Sequence, residues 1–180
     1  MNLPNILSLF RLLVTAFFIL LAASGRYGLS LTLFVVQALR DLLDGFLARK
    51  MGAKTNLGSY LDPLADKVML AASYIVLCFR EIIPLWLVIM VLVRDLVISF
   101  GFLILVKRGL RTVPVPSFIS KITTVLQMVT VVYVLLSAEG SFDYRGLRLF
   151  FFCTTALFTM ASGLQYVFAG GTVLFRKEIV

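Results

Sequence analysis

The sequence predicts an all-α integral membrane protein, six transmembrane helices around a polar cavity that faces the cytoplasm. Three observations carry this expectation. The 180 residues are 61% hydrophobic and only 14% charged, with a mean hydropathy of +1.02, a composition foreign to soluble domains. Apolar runs of about 20 residues recur, the length that crosses a bilayer core. Four of the nine acidic residues, Asp41, Asp44, Asp62 and Asp66, are gathered in one stretch, and ionisable groups at membrane depth are costly enough that function is their default explanation. No repeat period or low-complexity tract divides the chain, so residues 1–180 read as one membrane domain.

The expected spans are 6–24, 28–48, 58–79, 84–106, 118–138 and 147–169. In the first, Arg11, the apolar run to Leu21 and then Ala22-Ala23-Ser24 also suit a cleavable signal peptide. Five further spans favour an uncleaved helix with Asn5 as its N-cap. The second and third spans carry the acids at their ends, joined by the short polar KMGAKTN, which folds one helix back on the other. Arg94-Asp95 falls in the middle of the fourth, either as a structural pair or with Arg94 as an anion-binding group. The most basic interval follows, residues 105–121, where Pro114 and Pro116 stop the helix and Ser117 or Ser120 is placed to cap the fifth span. Lys121, in the first turn of that span, opposes the helix dipole, which a bound phosphate or a snorkelling contact with headgroups would explain. The sixth span offers Thr154, Thr155, Thr159, Ser162 and Gly163 for close packing. Cys78 and Cys153 read as small core residues.

Orientation follows from the basic residues. With the N-terminus inside, Arg11, Arg49, Lys50, Lys54, Lys107, Arg108, Arg111, Lys121, Arg176 and Lys177 gather on one side, against Arg26, Arg80, Arg145 and Arg148 on the other. The acidic stretch is then cytoplasmic, in a multi-pass protein of the inner (cytoplasmic) membrane. The formal charge of +8 suits anionic headgroups, and no nucleic-acid-binding motif accompanies it.

In a helix Asp41, Asp44, Gly45 and Ala48 fall at i, i+3, i+4 and i+7, and Gly58, Asp62 and Asp66 at i, i+4 and i+8. Each set makes one stripe. Four carboxylates brought together repel strongly in a low dielectric, and a divalent cation is the simplest remedy. An all-oxygen donor set suits Mg²⁺ or Mn²⁺, which is commonly shared with a substrate phosphate. The small residues on the same stripes allow a bulky ligand or the facing helix to approach. The competing account, helix capping and pairing with neighbouring bases, suits one aspartate better than four.

The pattern D-x2-D-G-x2-A-R-x8-G-x3-D-x3-D, here Asp41, Asp44, Gly45, Ala48, Arg49, Gly58, Asp62 and Asp66, resembles without a gap the signature of the CDP-alcohol phosphatidyltransferases. The resemblance extends from Leu3-Pro4-Asn5 to the sixth span, and Pro4-Asn5 with Arg11 resembles the family's amphipathic lead-in at the membrane surface. It implies transfer of a phosphatidyl group from CDP-diacylglycerol to an alcohol with release of CMP, in a homodimer. It also implies Asp41, Asp44, Asp62 and Asp66 as metal ligands, Asp66 as the catalytic base, and Asn5, Gly45, Ala48, Arg49 and Gly58 along the nucleotide. Spacing alone leaves open which of the four acids is the base.

Two acceptors remain in view. The Asn2-Leu3-Pro4-Asn5 opening and the Asp62-to-Lys67 run resemble members of the family that use glycerol 3-phosphate, a dianion that Arg94, Arg111 and Lys121 would bind. Those members carry a second arginine about two turns after Arg94, where this chain has Gly101-Phe102. Arg94-Asp95 and residues 119–127 also resemble members that use phosphatidylglycerol and make cardiolipin. A divalent-metal channel or transporter is the alternative of another class, and it would distribute acids along a path rather than on one side.

Overall fold

The computed structural model describes residues 3–51, 58–107, 118–140 and 144–175, with side chains described over 10–40, 67–101, 118–140 and 144–168. The regular structure among the described residues is six helices: α1 (Leu3–Ala23), α2 (Tyr27–Met51), α3 (Gly58–Phe79), α4 (Leu85–Lys107), α5 (Phe118–Ala138) and α6 (Arg145–Phe175). The expected boundaries of the third and fifth spans coincide with α3 and α5. α2 and α6 outrun the expected 28–48 and 147–169 because hydropathy marks only the apolar length, whereas a helix continues through polar residues of good propensity. α1 begins ahead of Asn5, so Asn5 lies inside its first turn and does not cap it. Pro4 is tolerated there because a first-turn N–H has no intrahelical acceptor.

Over their described residues, α5 and residues 145–168 of α6 are long and apolar enough to cross a membrane; Phe10–Ala23, Tyr27–Arg40 and Lys67–Phe79 are shorter apolar stretches. Large side chains such as Phe17, Leu20, Leu39, Phe79, Phe100, Leu157 and Phe168 are exposed while Ser30, Ser73, Thr123, Thr155 and Ser162 are buried. An apolar exterior over a partly polar interior is the arrangement a lipid solvent selects. Cys153 belongs to that exterior rather than to the core.

The chain divides into two compact units, Met1–Ile83 with Val131–Tyr144, and Pro84–Thr130 with Arg145–Val180. In the first, α1 packs on both α2 and α3 around Phe18, Ala22, Phe34, Leu70, Tyr74 and Leu77, the rings of Phe18 and Phe34 lying 6.0 Å apart. The buried hydroxyls of Thr15, Ser30 and Ser73 donate to the carbonyls of Arg11, Arg26 and Met69 one turn back, at 2.8–2.9 Å, so they cost little inside the unit. In the second unit α4 packs on α6.

One end of the first unit is closely tied. α1 stops in a Schellman turn: Gly25, at φ +77°, donates to Ala22 and Arg26 donates to Leu21. α3 stops the same way, with Glu81 at φ +59° donating to Cys78 and Ile82 to Leu77. Glu139, just past α5, reaches back to the start of α2, where its carboxylate accepts from the Gly28 N–H at 2.6 Å. A Cβ on Gly28 would stand 2.9 Å from that carboxylate, so glycine admits it. Arg80, just past α3, donates to the Tyr27 hydroxyl at 3.1 Å. Thus α1 and α3 end, and α2 begins, at one level, and the motif-bearing stretches lie at the other end.

A charged acceptor on an orphan N–H at a helix start is favoured by the dipole. Glu139→Ala is expected to lower stability by about 1 kcal/mol, read as a reduced thermal-unfolding midpoint in detergent, with Glu139→Gln retaining part of the effect.

Candidate active site

α2 holds Asp41, Asp44, Gly45, Ala48 and Arg49 in its final turns, and α3 holds Gly58, Asp62 and Asp66 in its opening turns. Continuous helix through both stretches, Pro63 included, gives each set one stripe per helix. The side chains of Asn5 and of residues 41–66 lie outside the described set, as does Arg111 altogether. The helices themselves fix the register. The Arg40 guanidinium carbon sits 4.7 Å from the centroid of the Phe10 ring, a cation–π contact between α2 and α1, and both residues stand about 20 Å of helix from the tied end. Asn5 stands further along α1 toward the acid-bearing end. Arg11 is buried, 6% exposed, on a helix that packs against both α2 and α3.

The donor chemistry is all oxygen. The chain has no histidine, and Cys78 lies in the last turn of α3, at the far end from the acids. A set of carboxylates without nitrogen or thiolate fits a hard divalent cation, Mg²⁺ or Mn²⁺, rather than zinc or copper.

Arg94 and Lys121 belong to the second unit. Arg94 is 5% exposed. Its Nη1 donates to Asp95 Oδ1 at 2.6 Å, its Nε and Nη2 donate to Ser162 Oγ at 3.2 and 2.9 Å, and Nη2 donates to Ser120 Oγ at 2.6 Å. The guanidinium therefore joins α4 to α5 and α6 within this unit. Ser120 lies inside α5 and takes Arg94 instead of capping the helix. Lys121, the next residue, is exposed.

Below this cluster a polar seam continues between α5 and α6. Thr123 Oγ1 donates to the Phe158 carbonyl at 3.1 Å, Gln127 Nε2 to Thr159 Oγ1 at 3.3 Å, and the hydroxyls of Thr130 and Thr155 share a hydrogen bond at 2.7 Å. Sequence reasoning treated Ser162 and its neighbours as packing residues alone. The signal available was periodicity: Ser120, Thr123, Gln127 and Thr130 on one helix, and Thr155, Thr159 and Ser162 on the next, each recur on one face.

The acids on α2 and α3, within a helical membrane protein, point to its class. The family model for CDP-alcohol phosphatidyltransferase matches residues 1–167, and the chain belongs to that family. It is therefore a membrane-embedded phosphatidyltransferase and not a metal channel. Among its relatives, the CDP-diacylglycerol–glycerol-3-phosphate 3-phosphatidyltransferase of Escherichia coli (strain K12) is 33% identical over 175 residues, covering 93% of this chain and 94% of the relative. Proteins of the same name from Shigella sonnei and Salmonella typhimurium match to the same extent.

The buried pair in the second unit yields a stability test. Asp95→Ala leaves the Arg94 charge with neutral partners, the Ser120 and Ser162 hydroxyls and the Ser120 carbonyl, and is expected to cost about 3 kcal/mol, seen as early thermal unfolding. Ser162→Ala, which removes a neutral partner, is expected to cost about 1 kcal/mol.

Proposed function

We propose that this chain transfers the phosphatidyl group of CDP-diacylglycerol to the hydroxyl of glycerol 3-phosphate, forming phosphatidylglycerophosphate and releasing CMP. The observation that carries the reading is the eight-residue motif spread over α2 and α3. The acceptor is supported by the similarity over almost the whole chain to relatives named for glycerol 3-phosphate and by the Asn2-to-Asn5 opening.

In this mechanism Asp41, Asp44, Asp62 and Asp66 hold Mg²⁺ or Mn²⁺, which when bound offsets the charge of the CDP pyrophosphate. Asn5, Gly45, Ala48, Arg49 and Gly58 line the nucleotide, the small residues admitting it and Arg49 supplying a cation. Asp66 takes the proton from the acceptor hydroxyl as its oxygen attacks the phosphatidyl phosphorus. The bond from that phosphorus to the oxygen of CMP breaks, and CMP leaves. Arg94, Arg111 and Lys121 bind the acceptor phosphate, and Arg94 also holds Ser120 and with it the first turn of α5 that presents Lys121. The wider arrangement proposed is six membrane spans, the acidic site open to the cytoplasm, in a homodimer of the inner membrane.

Phe102, where the second acceptor arginine is expected, favours a second reading, in which a cation is exchanged for an apolar group and phosphatidylglycerol is the acceptor. CMP release by purified protein with CDP-diacylglycerol, Mg²⁺ and each acceptor in turn separates the two. Glycerol 3-phosphate is expected to support turnover; release with phosphatidylglycerol alone would transfer the assignment to cardiolipin synthesis.

Asp66→Asn is expected to cut turnover by about 10²-fold or more while CDP-diacylglycerol binding persists. Asp41→Asn is expected to weaken that binding itself, and equal binding losses in the two variants would contradict the division of roles. EDTA is expected to abolish CMP release, with Mg²⁺ or Mn²⁺ restoring it.

A further inference from the structure

Among the described cations of the first unit, Arg11 is the buried one; Arg40 and Lys67 are half-buried, and Arg26 and Arg80 are exposed. A guanidinium in such an interior is retained against polar partners, of which an opposite charge is the strongest. The acids of the same unit fall into two groups by their level along the helices.

Glu81 and Glu139 follow the ends of α3 and α5. That level is fixed by the bonds from Glu139 to Gly28 and from Arg80 to Tyr27. α1 reaches it at Ala23, about 18 Å of helix beyond Arg11. Glu139, moreover, is engaged with the start of α2.

The second group is the motif. Counted from the tied end, Arg11 stands about 18 Å back along α1 and Asp41 about 21 Å along α2, so their backbones differ in level by about 3 Å. On α3, against which α1 also packs, Asp66 lies about 20 Å before the tied end, close to the 18 Å of Arg11.

We propose that Arg11 is the resident counter-charge of the acidic motif. It is a positioning residue that neutralises one of the four carboxylates and holds α1 against the acid-bearing stretches of α2 and α3 before metal or substrate arrives. The proposal rests on reading the four aspartates as one site, and it is independent of which alcohol is the acceptor.

The test is a set of double-variant cycles on purified full-length protein in detergent with EDTA and no substrate, read by the thermal-unfolding midpoint and not by turnover. Arg11→Gln is expected to lower the midpoint by about 5 °C or more, and Arg11→Lys by much less. Combined with Asp41→Asn, Asp44→Asn, Asp62→Asn or Asp66→Asn in turn, Arg11→Gln is expected to be non-additive with at least one, the neutral pair unfolding later than the two separate losses require. With Glu139→Ala it is expected to add. If Arg11→Gln does not fold, recovery of folded protein in one of its Asp→Asn combinations supports the pairing, and the same cycles run on Arg11→Lys take its place. Additivity with all four aspartates, or an unchanged midpoint in Arg11→Gln, would overturn the proposal. Because no arm depends on catalysis, an inactive protein that still shows the coupling would defeat the transferase reading alone.

Discussion

Charge in a low-dielectric interior is the constraint from which the rest follows. A carboxylate or guanidinium among apolar helices is kept only where an opposite charge or a full set of hydrogen bonds meets it. Two places in this chain answer to it. In the first unit four aspartates crowd the motif-bearing stretches of α2 and α3, and α1 carries a buried arginine at their level. In the second, Arg94 is met by Asp95 and by the hydroxyls of Ser120 and Ser162. The surrounding architecture keeps these groups in register: a tied end in the first unit, a polar seam between α5 and α6 in the second.

The two units solve the problem differently, and function follows the difference. Arg94 and Asp95 neutralise each other at 2.6 Å, and the hydroxyls of Ser120 and Ser162 tie the guanidinium to α5 and α6. The acidic motif places four carboxylates on α2 and α3, which suits a divalent cation and, through it, the pyrophosphate of a nucleotide-activated lipid.

Much of this was legible in the sequence. Apolar runs located all six helices, because the length needed to span lipid is close to the length that forms a helix, and the aspartate spacing located the stripes. What stayed hidden was tertiary. Arg11, early in an apolar helix, looks like an interfacial cation until α1 is packed between α2 and α3. Arg94 showed its sequence neighbour Asp95, but Ser120 and Ser162 are 26 and 68 residues away and only packing brings them to it. Asn5 resembled an N-cap because the helix start was placed by hydropathy, which is blind to the turn that Pro4 can open.

The central claim is that aspartates on two different helices form one metal site. Mn²⁺ binding to the purified, substrate-free protein, followed by electron paramagnetic resonance, tests it most directly. The account predicts a saturable site that is weakened by Asp41→Asn on α2 and equally by Asp62→Asn on α3. Binding that survives intact in either variant would contradict it.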